Sequence, residues 1–322
     1  MQQNAIVVSA PGGADVLKVT RTQAPTPGPG EILVKVSAIG VNFIETYQRS
    51  GVYPVDYPFI PGSEISGTVA ALGEGVQGLS IGEAVATSRA VAGYAEYAVV
   101  KSEHVGKVPQ GMDLQLAAAL PLQGMTAHYL VHSSYLVRQG DVILSYAGAG
   151  GVGLLLTQML KLKGATVITT ASTQEKKDLA KAAGADHVVD YDQVADTVAE
   201  VTDGRGVHAV YDGIGKDTFE TSLAALRTRG TLVLFGGASG QVPPFDLQRL
   251  NTGGSLKVTR PSLNHFIEDP HEHAWRFGDV FGWAASGTLD VRIGASFDLA
   301  EAGAAHAALE SRATTGKVIL LP

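Results

Sequence analysis

The stretch "DVILSYAGAGGVGLLLTQMLKLKG", residues 141–164, narrows the possible folds of this chain more than any other. "DVILSYA" reads as a buried strand, and "GGVGLLLTQMLKLKG" reads as a helix closed by Gly164. Between them, four of the six residues from 148 to 153 are glycine. Gly148, Gly150 and Gly153 satisfy G-x-G-x-x-G. In a chain with 39 glycines that spacing alone is weak. Its place directly after a strand and at the mouth of a helix makes it informative. Gly148 is expected to permit a tight turn, Gly150 to let the backbone approach a pyrophosphate, and Gly153 to let helix and strand pack closely. The free N–H groups at the helix start, in the segment Gly151–Val152–Gly153, then face the phosphate charge. No Lys-Ser/Thr follows the glycines, which disfavours a kinase- or ATPase-type loop.

The pattern around this loop predicts an α/β chain. "TVITTAS", "HVVDY", "VHAVYDGIG" and "TLVLFGG" read as strands. "QEKKDLAKAAGA", "DQVADTVAEVT" and "DTFETSLAALRTRG" (217–230) read as helices between them. Such alternation calls for a doubly wound parallel sheet with helices on both faces. The first hundred residues differ. Residues 31–42, 64–73, 83–88 and 95–101 look like short strands bounded by turns, the pattern of a small barrel or sandwich. Residues 113–132 then turn helical, with Pro121 as a break, and the chain closes on the strand "GKVILLP".

A dinucleotide site for NAD usually carries Asp or Glu at the end of the second strand, about 20 residues after the glycines, to hold the ribose hydroxyls. Here that place reads "TTASTQEKK". Ser172, Thr173 and Lys176 suit a 2′-phosphate, which a carboxylate would repel, so NADPH is the expected cofactor. Lys177 reads as part of a solvated helix face. The 322 residues carry a net charge of −7 and no basic run, which disfavours nucleic acid or an anionic membrane as main partner. No apolar run is long enough to span a bilayer, and "MQQNAIVVSAPGG" lacks a signal-peptide core, so a cytoplasmic location is expected. The absence of cysteine excludes disulfides, thiolate nucleophiles and cysteine-ligated metal sites.

Residues 140–161 resemble, at every specified position, the signature of the quinone oxidoreductase/ζ-crystallin branch of the medium-chain dehydrogenase/reductase superfamily. Those positions are Gly140, Asp141, Leu144, Gly148, Ala149, Gly150, Gly151, Gly153, Gln158 and Lys161. The likeness extends through 40–54, 61–69, 120–130, 258–263 and 310–317, and is strongest to bacterial members that use NADPH. It implies a GroES-like, mostly β catalytic domain (1–121 and 263–322) with an inserted Rossmann domain (122–262), the cofactor lying between them. It also implies a homodimer joined through sheet edges, for which "TLVLFGG" and "SLKVTRP" are the candidate strands.

The zinc alcohol dehydrogenases of the superfamily need a cysteine where this chain has Asn42 and a histidine where it has Ser63, before Glu64; no metal is expected here. His271 and His273 stand two apart, so on a helix they would not share a face. The resemblance places Asn42, Tyr47, Tyr53 and Gln123 at the reaction site. Asn42 would touch the nicotinamide end, and the tyrosines would orient the acceptor by stacking and hydrogen bonding. The cofactor-binding positions are Asn42, Thr126, Gly148, Gly150, Gly151, Val152, Gly153, Ser172, Thr173, Lys176, Tyr191, Gly213, Phe235, Gly236, Gly237, Thr259, Arg260 and Arg312. The expected activity is reduction of small quinones by NADPH. A reductase of 2-alkenal or enone double bonds is one alternative; a weakly catalytic NADPH-binding protein with a crystallin-like or RNA-binding role is the other.

Overall fold

The computed structural model describes all 322 residues. The strands, in chain order, are β1 (Gln2–Val7), β2 (Lys18–Gln23), β3 (Glu31–Val41), β4 (Ile65–Leu72), β5 (Ala84–Thr87), β6 (Tyr97–Lys101), β7 (Gly106–Lys107), β8 (Val142–Ser145), β9 (Thr166–Thr170), β10 (His187–Val189), β11 (Val207–Asp212), β12 (Leu226–Leu234), β13 (Lys257–Thr259), β14 (Ile293–Asp298) and β15 (Lys317–Leu321). The chain divides into two compact units, residues 1–123 with 269–322, and residues 124–268. The second division falls at 268/269 rather than 262/263. Phe266 stacks on Tyr129, ring centroids 4.4 Å apart, and this ties the segment after Pro261 to the inserted unit.

In the discontinuous unit, β14, β15, β3, β4, β5 and β7 lie side by side, and β6 pairs with the first half of β3. β3 carries β-branched residues at 32, 34, 36, 39 and 41 and is buried along most of its eleven residues. Ile32, Val34 and Ile39 of β3 meet Ile65, Val69, Val85, Val100, Val318 and Leu320 in one core. β1 and β2 form a separate antiparallel hairpin. β2 escapes a sequence reading because almost every residue in it is exposed, so no apolar alternation marks it. Asp269 caps the long helix Pro270–Ala285, accepting from the N–H groups of His271 (2.8 Å) and Glu272 (3.0 Å), with Pro270 in the first turn. His271 points outward and His273 is buried, as the two-residue offset requires.

The inserted unit is a six-stranded, all-parallel sheet in the order β10-β9-β8-β11-β12-β13. Counted from its own first strand this is 3-2-1-4-5-6, the order of dinucleotide-binding sheets. Leu144, Ile168, Val210 and Leu232 form its core with Val194, Val198 and Leu223 from the covering helices. Burial on both faces explains why these strands read as continuous apolar runs. The helix expected over 217–230 is shorter. It spans Phe219–Ala224, and β12 already begins at Leu226, which pairs with Val207 across a register break. β12 is therefore interior, between β11 and β13. Of the two expected edge strands, only "SLKVTRP" contributes an edge, as β13.

Candidate cofactor and substrate site

The glycine loop joins β8 to the helix Gly151–Leu162. The left-handed residue of the turn is Ala147 (φ 55°), so Gly148 is not needed for a positive φ there. Gly148 is small for another reason: a Cβ on it would lie 2.6 Å from the Thr169 side chain of the neighbouring strand. A Cβ on Gly153 would overlap the Ala147 carbonyl oxygen, which accounts for close packing of helix on strand. Gly150 differs from both. A Cβ there would meet only the Ala147 oxygen, at 3.2 Å, and no other atom within 4 Å, so this face of the loop is otherwise uncovered. Gly150 is also the helix cap and offers no side chain to the first N–H groups. The first bond inside the helix runs from Leu154 N to Gly150 O (3.0 Å), leaving the N–H groups of Gly151, Val152 and Gly153 ahead of it. Three donors and an open glycine face make a cradle for a diphosphate.

Gly148, Ser172, Gly213 and Phe235 each follow the carboxyl end of a strand in this one parallel sheet and Thr259 is the last residue of β13, so they share one rim of it. At the end of β9, Ser172 is exposed and Thr173 caps the helix Gln174–Ala182 by accepting from Lys176 N (3.3 Å). Lys177 pairs with Asp190 at 2.7 Å and is mostly covered. Tyr191 is half exposed and stacks on Tyr146, centroids 5.8 Å apart. Thr126 is buried in the helix Pro121–Tyr129, which Gln123 also belongs to. Arg260 is exposed, its guanidinium on Pro261 O.

The sequence reading missed the group that shapes the next part of the rim. Asp212, fully buried at the end of β11, accepts from Ile214 N (2.8 Å), Gly215 N (3.0 Å), Thr218 Oγ1 and Ser222 Oγ (2.8 Å). Its carbonyl accepts from Phe235 N (2.9 Å) and Gly236 N (3.3 Å). One aspartate thus fixes the Gly213 loop and the Phe235–Gly237 loop against each other. The signal was available in "YDGIG", where a carboxylate ends an otherwise apolar strand.

In the discontinuous unit, Tyr47 and Tyr53 are partly buried with ring centroids 5.3 Å apart, and Phe43 stacks on Tyr47 at 6.2 Å. Phe43 and Tyr47 share a face of the helix Phe43–Arg49, and Tyr53 N bonds back to Tyr47 O (3.0 Å). These rings offer a flat aromatic corner. Beside the start of that helix, Asn42 sits in a buried polar cluster. Its Oδ1 accepts from Lys317 Nζ (2.7 Å) and its Nδ2 donates to Glu64 Oε2 (2.9 Å). Lys317 Nζ also donates to Glu64 Oε2, and Leu122 N donates to Glu64 Oε1 (2.6 Å). Asn42 N donates to Glu45 Oε2 (2.8 Å). Burial pushes the Glu45 carboxyl up to about 8, the Lys317 charge pulling the other way. Glu45, Glu64 and Lys317 are absent from the sequence-derived site. Arg312 is exposed in a left-handed conformation (φ 58°) after the helix Ala302–Glu310.

The chain matches the family described as alcohol dehydrogenase GroES-like domain over residues 28–137 and that described as zinc-binding dehydrogenase over residues 151–276. It is 43% identical to a quinone oxidoreductase of Pseudomonas aeruginosa, over 98% of this chain and 99% of the relative. It is 38% identical to a 2-haloacrylate reductase of a Burkholderia species, over 99% and 98%. A mycobacterial structure complexed with NADPH superposes with a TM-score of 0.97 at 50% identity, covering 99% of this chain and all of the other.

Proposed function

Because this chain belongs to the quinone oxidoreductase branch of the medium-chain dehydrogenase/reductase family, we propose that it reduces small quinones with NADPH. The observation that carries the reading is the sheet rim of the inserted unit: an open glycine cradle on a helix start, and Ser172, Thr173 and Lys176 where a carboxylate would exclude a 2′-phosphate. When bound, NADPH supplies the hydride. Gly148 to Gly153 bind its diphosphate, Ser172, Thr173 and Lys176 its 2′-phosphate, and Tyr191 flanks the adenosine. Gly213, Phe235, Gly236, Gly237, Thr259, Arg260, Arg312 and Thr126 complete the contacts. Phe43, Tyr47 and Tyr53 hold the flat acceptor, with tyrosine hydroxyls donating to its oxygen as negative charge develops. Asn42 and Gln123 border the nicotinamide end. The protein works in the cytoplasm as a homodimer.

The residues do not fit zinc. The chain has no cysteine; Asn42 and Ser63 stand at the zinc-ligating positions, and Asn42 and Glu64, the residue next to Ser63, are both bound to the Lys317 ammonium. An ammonium held by the same oxygens repels a divalent cation. No step is therefore routed through a metal, and the acceptor's charge is met by hydrogen-bond donors.

Similarity to the 2-haloacrylate reductase favours a second reading, reduction of an activated double bond by the same site. The test is NADPH oxidation against 1,4-benzoquinone, 9,10-phenanthrenequinone, an alkenal and a cyclic enone, with NADH as the control cofactor. Turnover with quinones and NADPH is the expected result; turnover confined to the alkenal or enone establishes the second reading. In Tyr53→Phe we expect quinone turnover to fall about tenfold, the loss of one aligned donor, with NADPH binding unchanged. Unaltered kinetics in that variant would take Tyr53 out of the mechanism.

A further inference from the structure

Lys317 and Glu64 are both almost fully buried, and neither belongs to the aromatic corner or to the dinucleotide cradle. Three strands converge to build their cluster. β3 ends at Val41, just before Asn42; Glu64 immediately precedes β4; and Lys317 opens β15. β3 makes room for the carboxylate at Gly40, where any Cβ would overlap the Glu64 side chain. The site is thus shaped around an ion pair rather than merely containing one.

The arrangement acts on Asn42. A primary amide can exchange its oxygen and nitrogen by a half-turn, and its surroundings decide which way it faces. Here a half-turn would set Nδ2 against the Lys317 ammonium and Oδ1 against the Glu64 carboxylate, two repulsive contacts in place of two charge-assisted bonds. The amide has two further contacts: Nδ2 reaches Gly40 O at 3.4 Å, and the side chain accepts from the backbone N–H of Glu45 in a capping box, which a half-turn would also break. We propose that Lys317, held by Glu64, is a positioning residue for hydride transfer, locking the Asn42 amide in one orientation at the nicotinamide end of the site. The proposal rests on the reading above, in which Asn42 borders the cofactor. It gives the ammonium a fixed place on the donor set that cannot take zinc.

The test uses the full chain. Lys317→Met alone leaves Glu64 buried without its counter-charge and is expected to fold poorly. The informative variant is Lys317→Met with Glu64→Gln, which removes both charges together. We expect it to fold, to bind NADPH within about threefold of the parent through the phosphate contacts, and to lose about 30-fold in kcat for 1,4-benzoquinone with little change in KM, the signature of misplaced reactants. The primary isotope effect with NADPH deuterated at the transferred position should rise with it. A folded double variant with kcat within about threefold of the parent overturns the proposal. If the double variant does not fold, the parent decides. Its Asn42 side-chain amide should give one set of ¹H–¹⁵N resonances that shift on adding NADPH; two sets, or no shift, overturn it. A parent that oxidises no NADPH with any quinone or enone refutes the functional reading instead.

Discussion

Glu45 shows how much a single residue can hide. In the sequence it is one acid in "NFIETYQRS", with nothing to mark it as interior. In the fold it is fully buried, one carboxylate oxygen has no partner, and the group is held protonated up to about pH 8. The unfolded chain releases that proton near pH 4.5, so Glu45's contribution to stability is complete below that value and is lost as pH rises from about 4.5 to about 8. Glu45→Gln should cancel this loss. Melting followed at pH 5 and pH 8.5 should show the variant gaining on the parent by about 4 kcal/mol at the higher pH and little at the lower. Equal differences at both values would show that Glu45 ionises normally. The same blindness covers Glu64 and Lys317. A lysine 275 positions away from its asparagine partner leaves no local pattern. The tyrosines and Asn42 were singled out in the sequence only because the surrounding segments resemble a known family. Asp212 could have been found by asking why an apolar strand ends in a carboxylate.

At the scale of elements the sequence was far more readable, because parallel strands and their helices write their burial into continuous apolar runs. The departures have local causes. β12 starts within an expected helix because Leu226 pairs with Val207 once the chain has left the helix at Ala224. The turn before the glycine helix puts its positive φ on Ala147, freeing Gly148 to be small for the sake of Thr169. Gly150 and Gly153 therefore separate by experiment. Gly150→Ala places a methyl against only the Ala147 oxygen, at 3.2 Å, and should cost far less stability than Gly153→Ala while weakening NADPH binding at least about tenfold, since the diphosphate and the methyl compete for one position. Gly153→Ala drives a methyl into the Ala147 carbonyl and should lower stability by about 1–3 kcal/mol before any cofactor is added. Isothermal titration and thermal melting of both variants distinguish the roles; equal NADPH affinity in Gly150→Ala would show that the diphosphate lies elsewhere.

For the molecule as a whole, β13 is the exposed end of the inserted unit's sheet beyond β12, and its outer side has no strand partner within the chain. An unpaired edge invites a second copy. Sedimentation at micromolar concentration should give twice the mass of the chain, and a single-chain mass across the concentration range would remove the edge-pairing reading. The division into units also has a consequence for biosynthesis. The inserted unit is continuous, residues 124–268, and can close as soon as its last strand and helix leave the ribosome. The discontinuous unit cannot. Its central strand β3 is made early, yet the neighbour that completes it on one side, β15, is translated after every other strand. Lys317 opens that final strand. Throughout synthesis of the inserted unit, Asn42 and Glu64 wait with an open flank, and the nascent half-barrel keeps a carboxylate hydrated that will later lie dry. Translation order thus makes the ammonium the latch of its unit: the charge that seals the interior arrives only with the strand that closes the sheet.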